Sequence, residues 1–305
     1  MTDILVAGGG PAGLTAALYA ARAGKSVLVL EGGAPGGQIN FSPLVENYPG
    51  LPSIPGSQLA EDLLRQAEEQ GVALEYETAT HICTHGSGFQ VTTDCAVREC
   101  RALVLATGVQ HRSLGLPGEE ELVGQGISYC AVCDGPFYAG KPVAVVGGGD
   151  TALQDALFLS GLCSQVTLIH RREMFRGARR LVEQIQKRDN IHCAMDSTVE
   201  ELLTQDGRLT GLTLYGRITG ERTSFAVEGL FVAVGQKPQN EPFSGLIAVD
   251  EGGYFLAGED CRTSLPGVFA AGDCRSKEVR QLTTAVGDGA VAGLAACRWV
   301  DEHPV

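Results

Sequence analysis

Short runs of apolar residues, each closed by a glycine turn, recur along the chain. Ile4-Leu5-Val6-Ala7 leads into Gly8, Ala102-Leu103-Val104-Leu105-Ala106 into Thr107-Gly108, Val143-Ala144-Val145-Val146 into Gly147, and Leu230-Phe231-Val232-Ala233-Val234 into Gly235. Apolar runs without alternation predict strands buried on both faces, as in a parallel sheet. Segments from Leu14 to Ala23 and around Asp150 to Ser160 predict the helices that follow two of these strands. Ser26 to Leu30 and Gln165 to Ile169 predict the next strands, so the β-α-β pattern occurs twice. Thr78 to Val91 and Val199 to Val227 predict short hairpin strands laid against the two cores. Val268 to Ala271 predicts a last buried strand, and Arg280 to Arg298 a long helix rich in small residues. The expected fold class is α/β, with two Rossmann-like nucleotide-binding domains.

The chain has 305 residues, enough for about two domains. Its 41 glycines, without Pro- or Ser-rich tracts, point to tight turns and close backbone approach to a ligand. A formal net charge of −13 excludes general binding to nucleic acid or anionic membrane, because that field repels phosphate. The amino terminus lacks a basic n-region and reads as a strand, and no apolar run is long enough to span a bilayer. A cytoplasmic protein is expected. The ten cysteines are scattered, so most are expected to be reduced thiols, with Cys130 and Cys133 the one tight pair.

Gly8, Gly10 and Gly13 stand in G-x-G-x-x-G spacing between the first strand and helix. The first glycine permits the turn, the second lets the backbone approach a pyrophosphate, and the third lets helix pack on strand. Glu31 closes the second strand, where a carboxylate accepts from a ribose 2′-hydroxyl; the alternative is a solvated strand end. In the second unit Gly147, Gly149 and Ala152 repeat the turn, but the strand end carries His170-Arg171-Arg172, with Arg176 beyond. Guanidinium groups bind a 2′-phosphate that a carboxylate repels, so this unit is expected to prefer NADP(H); the alternative is a solvated basic start to a helix.

Cys130-Ala131-Val132-Cys133-Asp134 is a C-x-x-C motif with an acid beside it, suited to a readily exchanged disulfide. A zinc site is the alternative, but no second C-x-x-C or H-x-x-x-H supplies further ligands, so no metal is expected. The pair lies just before Gly147, in the second unit. Nicotinamide donates hydride, and a flavin can accept it and reduce a disulfide, so FAD in the first unit completes a relay.

The series Gly8-Gly9-Gly10-Pro11-Ala12-Gly13, Gly36-Gly37-Gln38, Glu46-Asn47-Tyr48-Pro49-Gly50, Ala106-Thr107-Gly108, Cys130 to Gly135, Gly147-Gly148-Gly149-Asp150-Thr151-Ala152, His170-Arg171-Arg172 with Arg176, Gly272-Asp273 and Arg280-Gln281 resembles the low-molecular-weight thioredoxin reductases, in order and over essentially the whole chain. The resemblance implies a three-layer ββα architecture, with a discontinuous FAD domain (1–114 and 244–305), an inserted NADPH domain (115–243) and a homodimer. It implies that Cys133 faces the flavin, that Cys130 attacks the partner disulfide, and that Asp134 manages protons. It places Gly8, Gly10, Ala12, Gly13, Glu31, Gly37, Gln38, Asn47, Thr107, Gly108, Gly272, Asp273, Arg280 and Gln281 at FAD. At NADPH it places Gly147, Gly149, Asp150, Thr151, His170, Arg171, Arg172 and Arg176.

The activity so implied is NADPH-dependent reduction of thioredoxin or a similar small dithiol protein. The resemblance also implies a rotation of the NADPH domain, with hinges expected near Gly115, Pro117 and Gly118 and near Pro238, Pro242 and Gly245. The alternatives are a reductase fed by ferredoxin, an oxygen-dependent dithiol oxidase, and a redox sensor without turnover. The intact second glycine motif speaks against the first, and the Arg171, Arg172 and Arg176 cluster against the second.

Overall fold

The structure, a computed structural model, describes residues 1–304. The chain forms two compact units, one of residues 1–110 and 237–305 and one of residues 111–236.

The first unit begins with β1 (Thr2–Ala7), α1 (Pro11–Arg22) and β2 (Val27–Leu30), followed by α2 (Gly56–Glu68) and β3 (Ala73–Glu75). The hairpin β4 (Ala79–His85) and β5 (Gly88–Thr93) leads to β6 (Val97–Leu105) and the short β7 (Val109–His111). Strands β1, β2, β3 and β6 pair in parallel, and Ile4, Leu5 and Val6 at the centre are fully buried. Continuous apolar runs are what such doubly covered strands require. Helix α1 starts where it does because Gly10 is its cap and Pro11, which lacks an N–H, occupies the first helical position.

The second unit holds β8 (Ile127–Ser128), α3 (Ala131–Asp134), β9 (Pro142–Gly147), α4 (Asp150–Ser160), β10 (Gln165–Ile169), α5 (Arg179–Ile185) and β11 (Ile191–Ala194). A meander of β12 (Ser197–Gln205), β13 (Arg208–Gly216) and β14 (Arg222–Ala226) precedes β15 (Gly229–Ala233). The parallel sheet runs β11-β10-β9-β15-β8. One of its faces packs Val143, Val145 and Leu168 against Leu153, Ala156 and Leu181 of the helices. The other packs Ala144, Ile169 and Leu230 against Leu209, Leu212 and Leu214 of the meander. This unit is therefore three layers, β/β/α.

The chain returns to the first unit through β16 (Gln236–Pro238), which pairs with β7, and ends with β17 (Val268–Ala270), parallel to β6, and α6 (Leu282–Glu302). Small residues let α6 lie close on α1: a side chain at Gly289 or Gly293 would run into the backbone of Ala12 or Ala16.

Two expectations from the sequence need correction. The 78–91 hairpin does not merely lie on the core; β5 pairs antiparallel with the first half of β6, so the hairpin extends the central sheet. The chain crosses between units at 110/111 and 236/237, ahead of the expected 114/115 and 243/244. Gly115, Pro117 and Gly118 are no free linker. The buried Glu119 carboxylate accepts the N–H groups of Leu114 and Gly115 at 2.8 Å and of Leu116 at 3.2 Å, which pins that loop within the second unit. Pro242 lies in a 3-10 turn (Glu241–Phe243) whose Phe243 is buried in the first unit's core.

Candidate active site

The first glycine turn realises three separate constraints. Gly8 has φ 109° and lies against Ala106 O, and a side chain on Gly13 would strike Gly8 O, so both positions exclude a Cβ. A Cβ on Gly10 would meet nothing within 4 Å, which leaves open space in front of the α1 N-terminus, the place an anionic pyrophosphate takes. Ala12 is buried and borders Gly272. Glu31 accepts from Gly9 N–H at 2.6 Å and from Gly33 N–H at 2.8 Å, so its carboxylate ties the turn to the end of β2.

The other first-unit candidates are held by separate contacts. Gly37 has φ 55°, and Gln38 donates its amide N–H to Val109 O. Asn47 donates to Gln281 Oε1 at 3.4 Å, and Gln281 caps α6 in a reciprocal capping box with Thr284. Arg280 stacks over the Tyr254 ring at 4.2 Å, with its Nε 3.3 Å from Asp273 O. Asp273 itself has a buried Oδ1 without a hydrogen-bond partner among the described residues, and burial pushes its carboxyl up against the pull of Lys277 and Arg280. A buried acceptor left open in this way fits a hydroxyl-bearing ligand.

Two supports were missed by the sequence reading. Asn240, 1% exposed, accepts from Thr107 Oγ1 at 2.8 Å and donates to Gly253 O at 2.9 Å and Cys274 O at 2.8 Å, joining the Thr107-Gly108 turn to the Gly272-Asp273 turn. Asp288 of α6 accepts from Gly272 N–H at 3.0 Å, from Arg275 at 2.8 and 2.9 Å and from Lys277 at 2.9 Å. Burial works to raise the Asp288 carboxyl, and the Arg275 and Lys277 hydrogen bonds overcome it and hold it low. The available signal was an acid between Gly287 and Gly289 within the run of small and apolar residues from Ala285 to Cys297.

In the second unit Gly147 packs against Ala233 O and Ala152, and Gly149 is open in the manner of Gly10. Thr151 follows at the exposed start of α4. Asp150, exposed at the start of α4, accepts from Ala178 N–H at 2.6 Å, and Arg176 N–H donates to Gly148 O at 2.7 Å, so the basic loop is stitched to the turn. Arg171, Arg172 and Arg176 are exposed. His170 departs from them. It is buried against Gly148 with Nε2 3.1 Å from Met174 O, and burial pushes its pKa down, so the ring is a neutral support and not a member of the cationic cluster.

Cys130 and Cys133 form a disulfide across α3. Asp134, the last residue of that turn, has its N–H on Cys130 O at 3.0 Å. Burial raises its carboxyl pKa and a hydrogen bond from Ser128 opposes the rise. Its Oδ1 is buried without a partner among the described residues. A carboxyl whose proton affinity is raised by burial in this way is suited to accept a proton and return it, which is what thiol–disulfide exchange requires. Ser128, Tyr129 and Glu119 were not singled out from the sequence; Tyr129 O–H donates to Glu119 at 3.2 Å and its ring stacks on His111 at 4.8 Å.

The comparisons with known proteins agree with this geometry. A family model described as pyridine nucleotide-disulphide oxidoreductase matches residues 2–289. A thioredoxin reductase of Listeria monocytogenes is 41% identical over 300 residues, which are 98% of this chain and 94% of the relative. A bifunctional thioredoxin reductase/thioredoxin of Mycobacterium leprae is 41% identical over 304 residues, 99% of this chain and 66% of the relative. The crystal structure of thioredoxin reductase from Streptococcus pyogenes superposes with a TM-score of 0.95 at 40% identity, with 99% of each chain covered. The family match spans both glycine turns and the cysteine pair, and the chain belongs to the pyridine nucleotide-disulphide oxidoreductase family.

Proposed function

We propose that the protein is an NADPH- and FAD-dependent thioredoxin-disulfide reductase, with the Cys130–Cys133 disulfide as its redox pair. The observation that carries this reading is that disulfide, with the buried Asp134 carboxyl beside it, on a unit whose glycine turn ends in exposed arginines. Thioredoxin as acceptor is supported by relatives named thioredoxin reductase, one of them joined to a thioredoxin. FAD supplies, when bound, the two-electron relay between a nicotinamide hydride and a disulfide.

The residues of the first unit fit the FAD role. Gly10 leaves room at the α1 N-terminus for pyrophosphate, Glu31 stands at the ribose position, and Asp273 Oδ1 offers an unused acceptor to a hydroxyl chain. Gly37, Gln38, Asn47, Thr107, Gly108, Arg280 and Gln281 complete that set, with Gly8, Ala12, Gly13 and Gly272 as its backbone frame. In the second unit Gly147, Gly149 and Thr151 frame the NADPH pyrophosphate, and Arg171, Arg172 and Arg176 hold the 2′-phosphate. Asp150 and His170 hold the loop and the turn that present them. Cys130 attacks the partner disulfide, Cys133 resolves the mixed disulfide, and Asp134 carries the protons.

A homodimer in a reducing cytoplasm belongs to the same reading. The eight other cysteines, all free, support the compartment. Among the described residues no helix is long and apolar enough to cross a membrane.

The test is anaerobic mixing of the flavin-loaded protein with NADPH, and separately with NADH. The expected outcome is flavin bleaching by NADPH at least about tenfold faster than by NADH, reversed on addition of oxidised thioredoxin. Bleaching by neither nucleotide would move the function to another electron donor.

A further inference from the structure

Ser128 sits at the end of β8, 4% exposed, between the strand and the redox turn. Its hydroxyl makes two close contacts: Cys130 N–H donates to Oγ at 3.0 Å, and Oγ lies 2.6 Å from Asp134 Oδ2. A third neighbour, Cys130 O, is farther away at 3.4 Å. A hydroxyl has one hydrogen, and the short contact to the carboxyl claims it. Oδ2 is then an acceptor of that bond, in the charged and in the neutral carboxyl alike. With that bond kept, the proton of a neutral carboxyl lies on the other oxygen, Oδ1, which is buried without a hydrogen-bond partner among the described residues.

We infer that Ser128 is a positioning residue for thiol–disulfide exchange, fixing Asp134 through Oδ2 so that Oδ1 is the oxygen that gives and takes the proton. The inference rests on the proposed acid–base role of Asp134 and assigns it to one atom. As Cys130 attacks a partner disulfide, its thiol proton passes to Oδ1, a Cys130–partner S–S bond forms, the partner's own S–S bond breaks, and the departing thiolate takes the proton from Oδ1. As Cys133 attacks Cys130, its proton passes to the same oxygen, the Cys130–Cys133 bond forms, and the second partner thiolate leaves and is protonated. Two electrons and two protons move from the dithiol to the partner, which becomes the dithiol. The same serine holds the Cys130 backbone, so the attacking sulfur and the proton carrier share one anchor.

The inference is tested on the holoenzyme with Ser128→Ala, Ser128→Thr and Asp134→Asn, reading the pH profile of thioredoxin reduction and the pH dependence of iodoacetamide alkylation of the reduced protein. Asp134→Asn is expected to slow exchange at least about 100-fold and to remove its inflection from the profile. Ser128→Ala, which deletes a bond favouring the charged carboxyl, is expected to slow exchange about tenfold and to move that inflection up by about 1 pH unit. Ser128→Thr keeps the hydroxyl and is expected to restore the wild-type inflection. An unmoved inflection in folded Ser128→Ala, alongside a strong Asp134→Asn effect, would overturn the role of Ser128 alone. An Asp134→Asn enzyme with wild-type rate and profile would instead overturn the acid–base reading beneath it. If Ser128→Ala does not fold, Ser128→Thr decides: a displaced inflection in that variant counts against the assignment.

Discussion

The two glycine turns share a backbone and differ in what stands behind it. In the first, Glu31 reaches back from the end of β2 and accepts Gly9 N–H. In the second, the corresponding strand end is His170, whose ring fills the space a Cβ of Gly148 would need. Each strand-end residue braces the middle of its own turn, one by a hydrogen bond to an anion, the other by packing a neutral ring. Nucleotide charge is thus answered in different places. In the first turn the brace itself is a carboxylate; in the second, the charge lies on Arg171, Arg172 and Arg176, on a loop held near the turn by backbone bonds to Gly148 O. Similar sequence spacing therefore does not mean that matching positions do matching work.

The largest expected effect tests this division of labour. Replacing Arg171, Arg172 and Arg176 together by alanine should lower kcat/KM for NADPH about 100-fold while changing that for NADH less than about threefold, with flavin content intact. A comparable loss with NADH would mean that the arginines hold the fold and not the phosphate.

The braces themselves can be compared by adding one methyl group to each turn. Gly148→Ala drives a Cβ into the His170 ring and should cost about 2 kcal/mol in urea unfolding. Gly9→Ala meets Glu31 Cβ at 3.1 Å, a contact relieved by a shift of a few tenths of an ångström, and should cost less than about 1 kcal/mol. Equal losses would erase the distinction between a packed brace and a bonded one.

The smallest effect is one of pH. Burial keeps the folded His170 pKa below that of the unfolded chain. Its contribution is full above the unfolded value of about 6.5 and is lost as pH falls below it toward the folded value, because only the unfolded chain gains the proton there. His111, pushed by burial down to about 4, adds a loss of the same sign. His170→Gln should therefore flatten part of the fall in urea midpoint between about pH 7 and pH 5 and leave the share due to His111. An unchanged slope would mean that His170 is protonated in the native state.

Local features were legible in the sequence. Consecutive apolar residues reveal doubly buried strands, and α4 occupies the stretch that the apolar pattern marks, Asp150–Ser160. The cysteine pair needed only its spacing. Residues whose partners are distant in the chain were not legible: Asn240 meets Thr107 across 133 positions. Ser128 and Glu119 carry no pattern of their own, since a serine closing a strand and a glutamate after a glycine turn read as solvated. His170 was read with its basic neighbours because composition cannot tell a buried ring from an exposed one. The crossings were misjudged because Gly and Pro mark turns, and a turn pinned by Glu119 looks the same in sequence as one that swings.

The paired strands β7 and β16 bear on how such a protein can be taken apart and rebuilt. On one side of the crossings Arg112 N–H donates to Gly235 O at 3.0 Å; on the other, the side chains of Gln110 and Gln239 meet at 3.4 Å. The severed ends of each unit are thus neighbours within that unit. Residues 111–236 form a cassette whose two ends lie side by side, and the chain left behind can be closed by a short turn. Exchange of the redox module between relatives then needs only two splice points, both in one ribbon, with neither core opened.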